Sequence, residues 1–119
     1  MNNRVKGNAG EAQAAEYLER RGHTILARNY YVRGGEVDII FDDDGSTVFC
    51  EVKTRSQSRY GTPAEAVGRR KIARICKAAL DYASANKNVD EKYRFDIIEV
   101  NNGRINHIKN AFEFIEPWI

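Results

Sequence analysis

The chain has 119 residues, enough for one domain, residues 1–119, with its own hydrophobic core and no need of a disulfide framework or structural metal. Its hydrophobic and charged fractions, 42% and 30%, exclude a disordered or collagen-like chain, while the net charge of +2 decides nothing by itself. No apolar run approaches a membrane span, and the opening MNNRVKGNAGE lacks the apolar centre of a secretory signal, which points to the cytoplasm and to no membrane partner. Cys50 and Cys76 form no C-x-x-C pair, and each sits in an apolar run, so both are expected as buried reduced thiols. His23 and His107 are isolated, and neither is expected as a ligand.

Residues 5–21 have helical periodicity. Val5, Ala9, Ala12, Ala15 and Leu18 recur on one stripe, and Gly22 is a natural stop. Glu11 falls on the edge of that stripe rather than on the wet face. Residues 23–32 (HTILARNYYV) predict a strand in which Tyr30 and Tyr31 pack in the core, and Arg33-Gly34-Gly35 predicts a tight turn. Strands follow at 36–42 and 47–54, then a polar loop at 56–61. Thr62-Pro63-Ala64-Glu65 carries a cap, a proline for the first helical position and a glutamate that completes a capping box. The helix it starts runs to about residue 86, with a bend at Gly68 and a stripe of Val67, Ile72, Ile75, Cys76, Ala79, Leu80 and Ala83. Residues 93–100 (YRFDIIEV) predict a strand, Asn101-Asn102-Gly103 a hairpin turn, and 104–108 the return strand. The order α-β-β-β-α-β-β, with a crossover helix, predicts an α/β fold: a mixed sheet flanked by helices.

Charge is unevenly placed. From Lys53 to Lys77 there are eight basic residues (Lys53, Arg55, Arg59, Arg69, Arg70, Lys71, Arg74 and Lys77) against the single acid Glu65. Such a segment is either a polyanion footprint or a solvated helix face. Tyr60, between Arg59 and Gly61, is a candidate for stacking on a base.

The stretch EVDIIFDDDGSTVFCEVKTR has the makings of a site. Asp44-Gly45 is a favoured two-residue hairpin pair. Centring the turn there opposes Asp38 to Glu51, Glu36 to Lys53 and Ile40 to Phe49, all on one face. Val37, Ile39, Phe41, Val48, Cys50 and Val52 then form an apolar face that is the core side. In that register the Cβ atoms of Asp38 and Glu51 are about 4.5–5.5 Å apart, and two such acids repel. A divalent cation offsets the repulsion. Mg²⁺ prefers hard oxygen ligands and is commonly held by one or two carboxylates plus water and phosphate oxygens. Asp38, Glu51 and the Val52 carbonyl can supply three oxygens, Glu11 can enter from the helix, and Lys53 can orient a water or face phosphate charge. The competing explanation is an exposed sheet face with ordinary cross-strand ion pairs. No phosphate loop, nucleophile elbow or zinc spacing is present in the sequence.

The pattern Asp38…Glu51-Val52-Lys53, with Glu11 on a preceding helix, resembles the signature of restriction-endonuclease-like nucleases, in particular the branch of the archaeal Holliday-junction resolvases. Over most of its length the chain also resembles the bacterial YraN-type family of uncharacterised proteins. The matching stretches are Gly7-Asn8-Ala9-Gly10-Glu11-Ala12, Gly35 to Ile40, Phe49 to Arg55, Tyr60 to Val67 and Arg94 to Ile98. The resemblance implies a restriction-endonuclease-like fold. It implies Glu11, Asp38 and Glu51 as ligands of Mg²⁺ or Mn²⁺, Lys53 as the catalytic lysine, and hydrolysis of DNA phosphodiesters, four-way junctions among the substrates. The signature's proline is Val37 here, and its side chain is not a ligand.

On that reading Arg55, Arg59, Arg69, Arg70, Lys71 and Arg74 hold phosphates, Glu36, Lys71 and Asp96 take supporting positions, and a homodimer would suit a two-fold-symmetric junction. Two other classes stay open. A nucleic-acid-binding module without catalysis would use the same basic segment and bind with steep salt dependence but no response to divalent metal. A protein–protein adaptor would bind DNA weakly even at low salt.

Overall fold

The computed structural model describes residues 3–55, 67–86 and 92–118, with side chains from residue 9 onward and without that of Arg55. Helix α1 (Asn3–Arg20) leads into strands β1 (Thr24–Val32), β2 (Gly35–Asp43) and β3 (Ser46–Arg55). Helix α2 (Arg69–Ala85) crosses over to β4 (Tyr93–Asn101), which turns into β5 (Arg104–Ile108). The expected order is therefore present. The capping segment at residues 62–65 lies outside the described residues. Gly68, extended at φ −66° and ψ 167°, precedes the first turn of α2, so the expected bend is the start of this helix.

The five strands form one sheet in the order β1-β2-β3-β4-β5. Pairing is antiparallel except between β3 and β4, where the α2 crossover makes it parallel. A parallel pair in the middle of a sheet calls for cover on both faces, and both are covered. On one, Ala14, Ala15 and Leu18 of α1 pack on Ile39, Phe41, Val48, Cys50, Ile98 and Val100. On the other, Ile75, Cys76, Ala78 and Ala79 of α2 pack on Val37, Ile40, Phe49 and Phe95. The one-sided core read from the sequence is thus corrected: Ile40 and Phe49, assigned to the charged face, are fully buried beneath α2. The hairpin hides this because one buried face already explains its alternation, while the second cover is supplied by a helix that starts at Arg69, well after β3 ends at Arg55.

Tyr31 corrects a second expectation, being 66% exposed, whereas Tyr30 packs against Tyr82 at 5.4 Å between ring centres and donates its hydroxyl to Asp81 at 2.7 Å. Both cysteines are buried and free, as expected. Among the described residues no helix is long and apolar enough to cross a membrane.

Two glycines set the helix-to-sheet distances. A Cβ on Gly35, the first residue of β2, would lie 2.6 Å from the Arg74 carbonyl oxygen and 2.9 Å from the Ala78 nitrogen. The start of β2 therefore packs directly on the α2 backbone. A Cβ on Gly10 would collide with the Thr54 side chain, so α1 sits close over the end of β3.

Candidate active site

The stripe of α1 that faces the sheet is Gly10, Ala14, Ala15 and Leu18, while Ala9 and Ala12 are exposed. The stripe is turned from the expected one. Glu11, three and four residues before Ala14 and Ala15, consequently belongs to the inward side rather than its edge. Small alanines on several faces of α1 made its phase ambiguous in the sequence.

The hairpin register is as expected where the strands pair: Ile39 opposes Cys50, Ile40 opposes Phe49 and Asp43 opposes Ser46. Asp44 and Gly45 both adopt the positive φ that such a turn requires, at 52° and 95°. The ladder stops at Ile39 and Cys50. Beyond it, the Val52 N–H donates to Asp38 Oδ2 at 2.8 Å, so a side chain stands in for the next rung. Strict alternation also fails here, since Val37 packs with Ile40 beneath α2 whereas Ile39 packs beneath α1. The expectation that every charged residue of the hairpin shares one face is corrected accordingly. Asp38 lies where β2 and β3 part, and it interacts with acids from both sides.

One of these is Glu51, which is nearly fully buried. Burial pushes its carboxyl up to about 8, and repulsion from and hydrogen bonding with Asp38 add to the rise, against the opposing charges of Lys71 and Lys53. The other is Glu11, raised by burial and by Asp38 and held back by a hydrogen bond from Asn29 and by the charge of Arg28. Buried oxygens of both acids, Glu11 Oε1 and Glu51 Oε1, have no hydrogen-bond partner.

The cations around this cluster come from two elements. Lys53 follows Glu51 by two residues on β3 and opposes Glu99 of β4 in the parallel register. Lys71 of α2 places its Nζ 3.5 Å from Glu36 Oε2 and 3.8 Å from Glu51 Oε1, the second an ion-pair distance too long for a hydrogen bond. Arg74 donates to Glu36 Oε1 at 3.0 Å. Burial works to raise Glu36, but Arg74 and Lys71 outweigh it and hold the carboxyl below its ordinary range. The expected Glu36–Lys53 cross-strand pair is therefore replaced by ion pairs from Glu36 to α2. Lys71 and Arg74, expected to hold phosphates, are engaged with acids of the site, while Arg69 and Arg70 are exposed. The Arg55 side chain, Arg59 and Tyr60 lie outside the described residues.

Asp96, assigned a supporting position from the sequence, sits instead in a network of its own. It is fully buried. Its carboxylate accepts from Arg94 Nε at 2.8 Å, Arg94 Nη2 at 2.9 Å, the Asn110 N–H at 2.9 Å and His107 Nε2 at 2.7 Å. A carboxylate only accepts, so the proton of that last bond is on Nε2, and His107 Nδ1 shares a hydrogen bond with Tyr17 Oη at 3.1 Å. Burial would raise Asp96, but its donors, His107 first, hold it below the usual carboxylate range. Arg94 also reaches Asp43 at 2.9 Å. This is a structural knot tying α1, β4 and β5, with every carboxylate oxygen satisfied.

Among the described residues, no three His, Cys, Asp or Glu side chains converge at metal-holding spacing. The donor chemistry nevertheless fits a hard divalent cation at the Asp38–Glu51 pair. The pair is an all-oxygen set, it holds a buried carboxylate oxygen that makes no hydrogen bond, and Mg²⁺ takes one or two carboxylates and completes its shell with water and phosphate. Asn29 and Arg28 were missed in the sequence. The only local signal is Asn29's left-handed backbone at φ 52°, invisible until the strand is built.

Comparison with known proteins matches residues 10–100 to the uncharacterised protein family UPF0102. A UPF0102 protein of Persephonella marina is 42% identical over 109 residues, covering 92% of this chain and 94% of its own. One from Geobacter sulfurreducens is 45% identical over 116 residues, covering 93% and 91%, and one from Clostridioides difficile is 43% identical over 114 residues, covering 94% and 100%.

Proposed function

The chain belongs to the uncharacterised protein family UPF0102, and from that premise we propose that it is a Mg²⁺- or Mn²⁺-dependent endonuclease that hydrolyses DNA phosphodiester bonds, branched DNA among its substrates. The observation that carries this reading is the acid pair at the split between β2 and β3. Asp38 is fixed by the Val52 N–H, Glu51 is buried beside it with an oxygen that has no hydrogen-bond partner, and the charges of Lys71 and Lys53 act on Glu51 from α2 and β3.

In this mechanism Asp38, Glu51 and the Val52 carbonyl would hold the ion, with Glu11 as a further ligand from α1. When bound, the ion supplies Lewis acidity to the scissile phosphate. Asp38 and Glu51, the latter once ionised, would orient a water in line with the phosphorus. Lys53 would face the negative charge that grows on the phosphate as that water attacks, loses a proton to solvent and the opposite P–O bond breaks, the leaving sugar oxygen taking a proton from solvent. Lys71 favours the ionised form of Glu51 against burial and Asp38, and Glu36 holds Lys71 and Arg74 in place. Arg55, Arg59, Tyr60, Arg69 and Arg70 would meet the flanking strand. The two buried free thiols suit a cytoplasmic location, and a homodimer would match the symmetry of a four-way junction.

The test is cleavage of linear, flapped and four-way DNA in EDTA, Mg²⁺ or Mn²⁺, with Glu51→Ala and Lys53→Ala alongside. Metal-dependent cutting that disappears in both variants is expected. Cutting that persists in both contradicts the reading. Salt-sensitive DNA binding without metal response or cleavage marks a non-catalytic binding module instead.

A further inference from the structure

Trp118 is the only tryptophan of the chain, and it is 69% exposed. An indole left in water needs an explanation, and its neighbours offer one. It lines an open cleft of about 330 Å³ with Gly34 of the β1–β2 turn, Pro117, and Arg70, Arg74 and Lys77 of α2. Three cations and one flat aromatic surface thus border a single depression. Arg74 continues from it to Glu36 at 3.0 Å, Glu36 meets Lys71 at 3.5 Å, and Lys71 meets Glu51 at 3.8 Å. The cleft is therefore linked to the acid pair by one chain of ion pairs. Gly35 makes this possible, because only a residue without a Cβ lets the start of β2 lie against the Arg74 and Ala78 backbone.

We propose that this cleft binds one unpaired nucleotide of a DNA strand, with the Trp118 indole stacked on the base and Arg70 and Lys77 facing the flanking phosphates. The inference rests on the nuclease reading for its choice of DNA, and it deepens that reading by specifying substrates with unpaired bases, as at flaps and junctions. Base–aromatic stacking is sequence-tolerant because every base has a π-face, and adjacent cations follow the backbone. The cleft volume lies at the low end of the roughly 300–1,000 Å³ of small-ligand sites, which suits a nucleotide unit and not a duplex. Among the residues lining the cleft Trp118 is the one large exposed aromatic, set among basic residues, so the cleft suits a planar ligand better than a membrane surface, which an apolar patch would serve.

The experiment follows Trp118 fluorescence in the full chain in EDTA, where no cleavage occurs, while single-stranded oligo(dT), the same sequence as a blunt duplex, or phosphatidylserine vesicles are added. Oligo(dT) should quench the emission saturably and the duplex much less. Followed instead by the anisotropy of labelled oligo(dT), Trp118→Ala should weaken binding by roughly 5- to 150-fold. Trp118→Phe should restore most of the affinity, and Arg70→Ala/Lys77→Ala should weaken it and flatten its salt dependence. Saturating oligo(dT) without quenching, unchanged affinity in Trp118→Ala, or quenching by vesicles but not by DNA would overturn the proposal. Quenching of a chain that cuts nothing with Mn²⁺ would uphold the cleft and contradict the nuclease reading. Metal-dependent cutting without quenching would do the opposite.

Discussion

Asp38 and Val52 are joined by a hydrogen bond from the Val52 N–H to Asp38 Oδ2 at 2.8 Å, just where the β2–β3 ladder ends at Ile39 and Cys50. This bond holds one carboxylate at the gap between two strands, beside Glu51. It also makes Asp38→Asn an informative substitution, because the asparagine carbonyl can still accept from Val52 while the charge is gone.

The raised pKa of Glu51 predicts a pH-dependent stability. Its folded value of about 8 lies above the 4.5 of an ordinary glutamate, chiefly through burial and then through Asp38. Between those values the folded chain holds a proton that the unfolded chain has lost. The corresponding stability is complete below the unfolded value and is lost as pH rises through about 8. Thermal unfolding of Glu51→Gln in EDTA should show a smaller fall between about pH 5 and pH 9 than the native chain, and a gain on the order of 1 kcal/mol or more at the alkaline end. Parallel pH profiles for the two proteins would refute the assignment.

Lys71 should act on catalysis through Glu51. Its charge opposes the rise of Glu51, so Lys71→Met leaves Glu51 protonated to higher pH. The acidic limb of the kcat/KM profile should move to higher pH, with a roughly 10- to 100-fold loss at neutral pH that alkaline conditions partly recover. Lys53→Met should lose activity across the whole profile. A Lys71→Met profile lowered uniformly, with its limb unmoved, would show that Lys71 works in another way.

Asp96→Asn should destabilise the fold by about 1.5–3 kcal/mol, since it replaces the buried carboxylate that Arg94 and His107 share with a neutral amide. The carboxylate is held below its ordinary pKa, so its contribution is full above the ordinary carboxylate range and disappears as pH falls through the folded value. Chemical denaturation at neutral and acidic pH checks both parts. A loss below about 1 kcal/mol at neutral pH contradicts the role given to this knot.

Gly35→Ala should cost about 1–3 kcal/mol, because the new methyl meets backbone atoms of Arg74 and Ala78 that cannot rotate away. It should also disturb the Glu36–Arg74 contact and weaken oligo(dT) binding in the Trp118 cleft. Unchanged thermal stability would show that α2 yields more readily than its contact with Gly35 suggests.

Local chemistry made the hairpin legible: Asp44-Gly45 and the alternation from Ile39 to Phe49 predict the observed register, and the element order followed from turns and periodicities. What stayed hidden depends on packing between distant segments. The cover of Ile40 and Phe49 comes from α2, and the ion pairs of Glu36 come from residues 35 and 38 positions away. Likewise, His107 looked isolated because Tyr17 and Asp96 reach it only after α1, β4 and β5 assemble. The phase of α1 was off because alanine, small enough for either environment, marks an inward stripe weakly.

Calorimetric titration of Mn²⁺ into the native chain, Asp38→Asn and Glu51→Gln at about pH 8 tests the central claim most directly, since Glu51 can ionise there. Saturable binding to the native chain, lost or weakened at least tenfold in both variants, is the expected result. Absence of binding to the native chain, or equal binding by all three proteins, would contradict the assignment of Asp38 and Glu51 as the carboxylates that hold the ion.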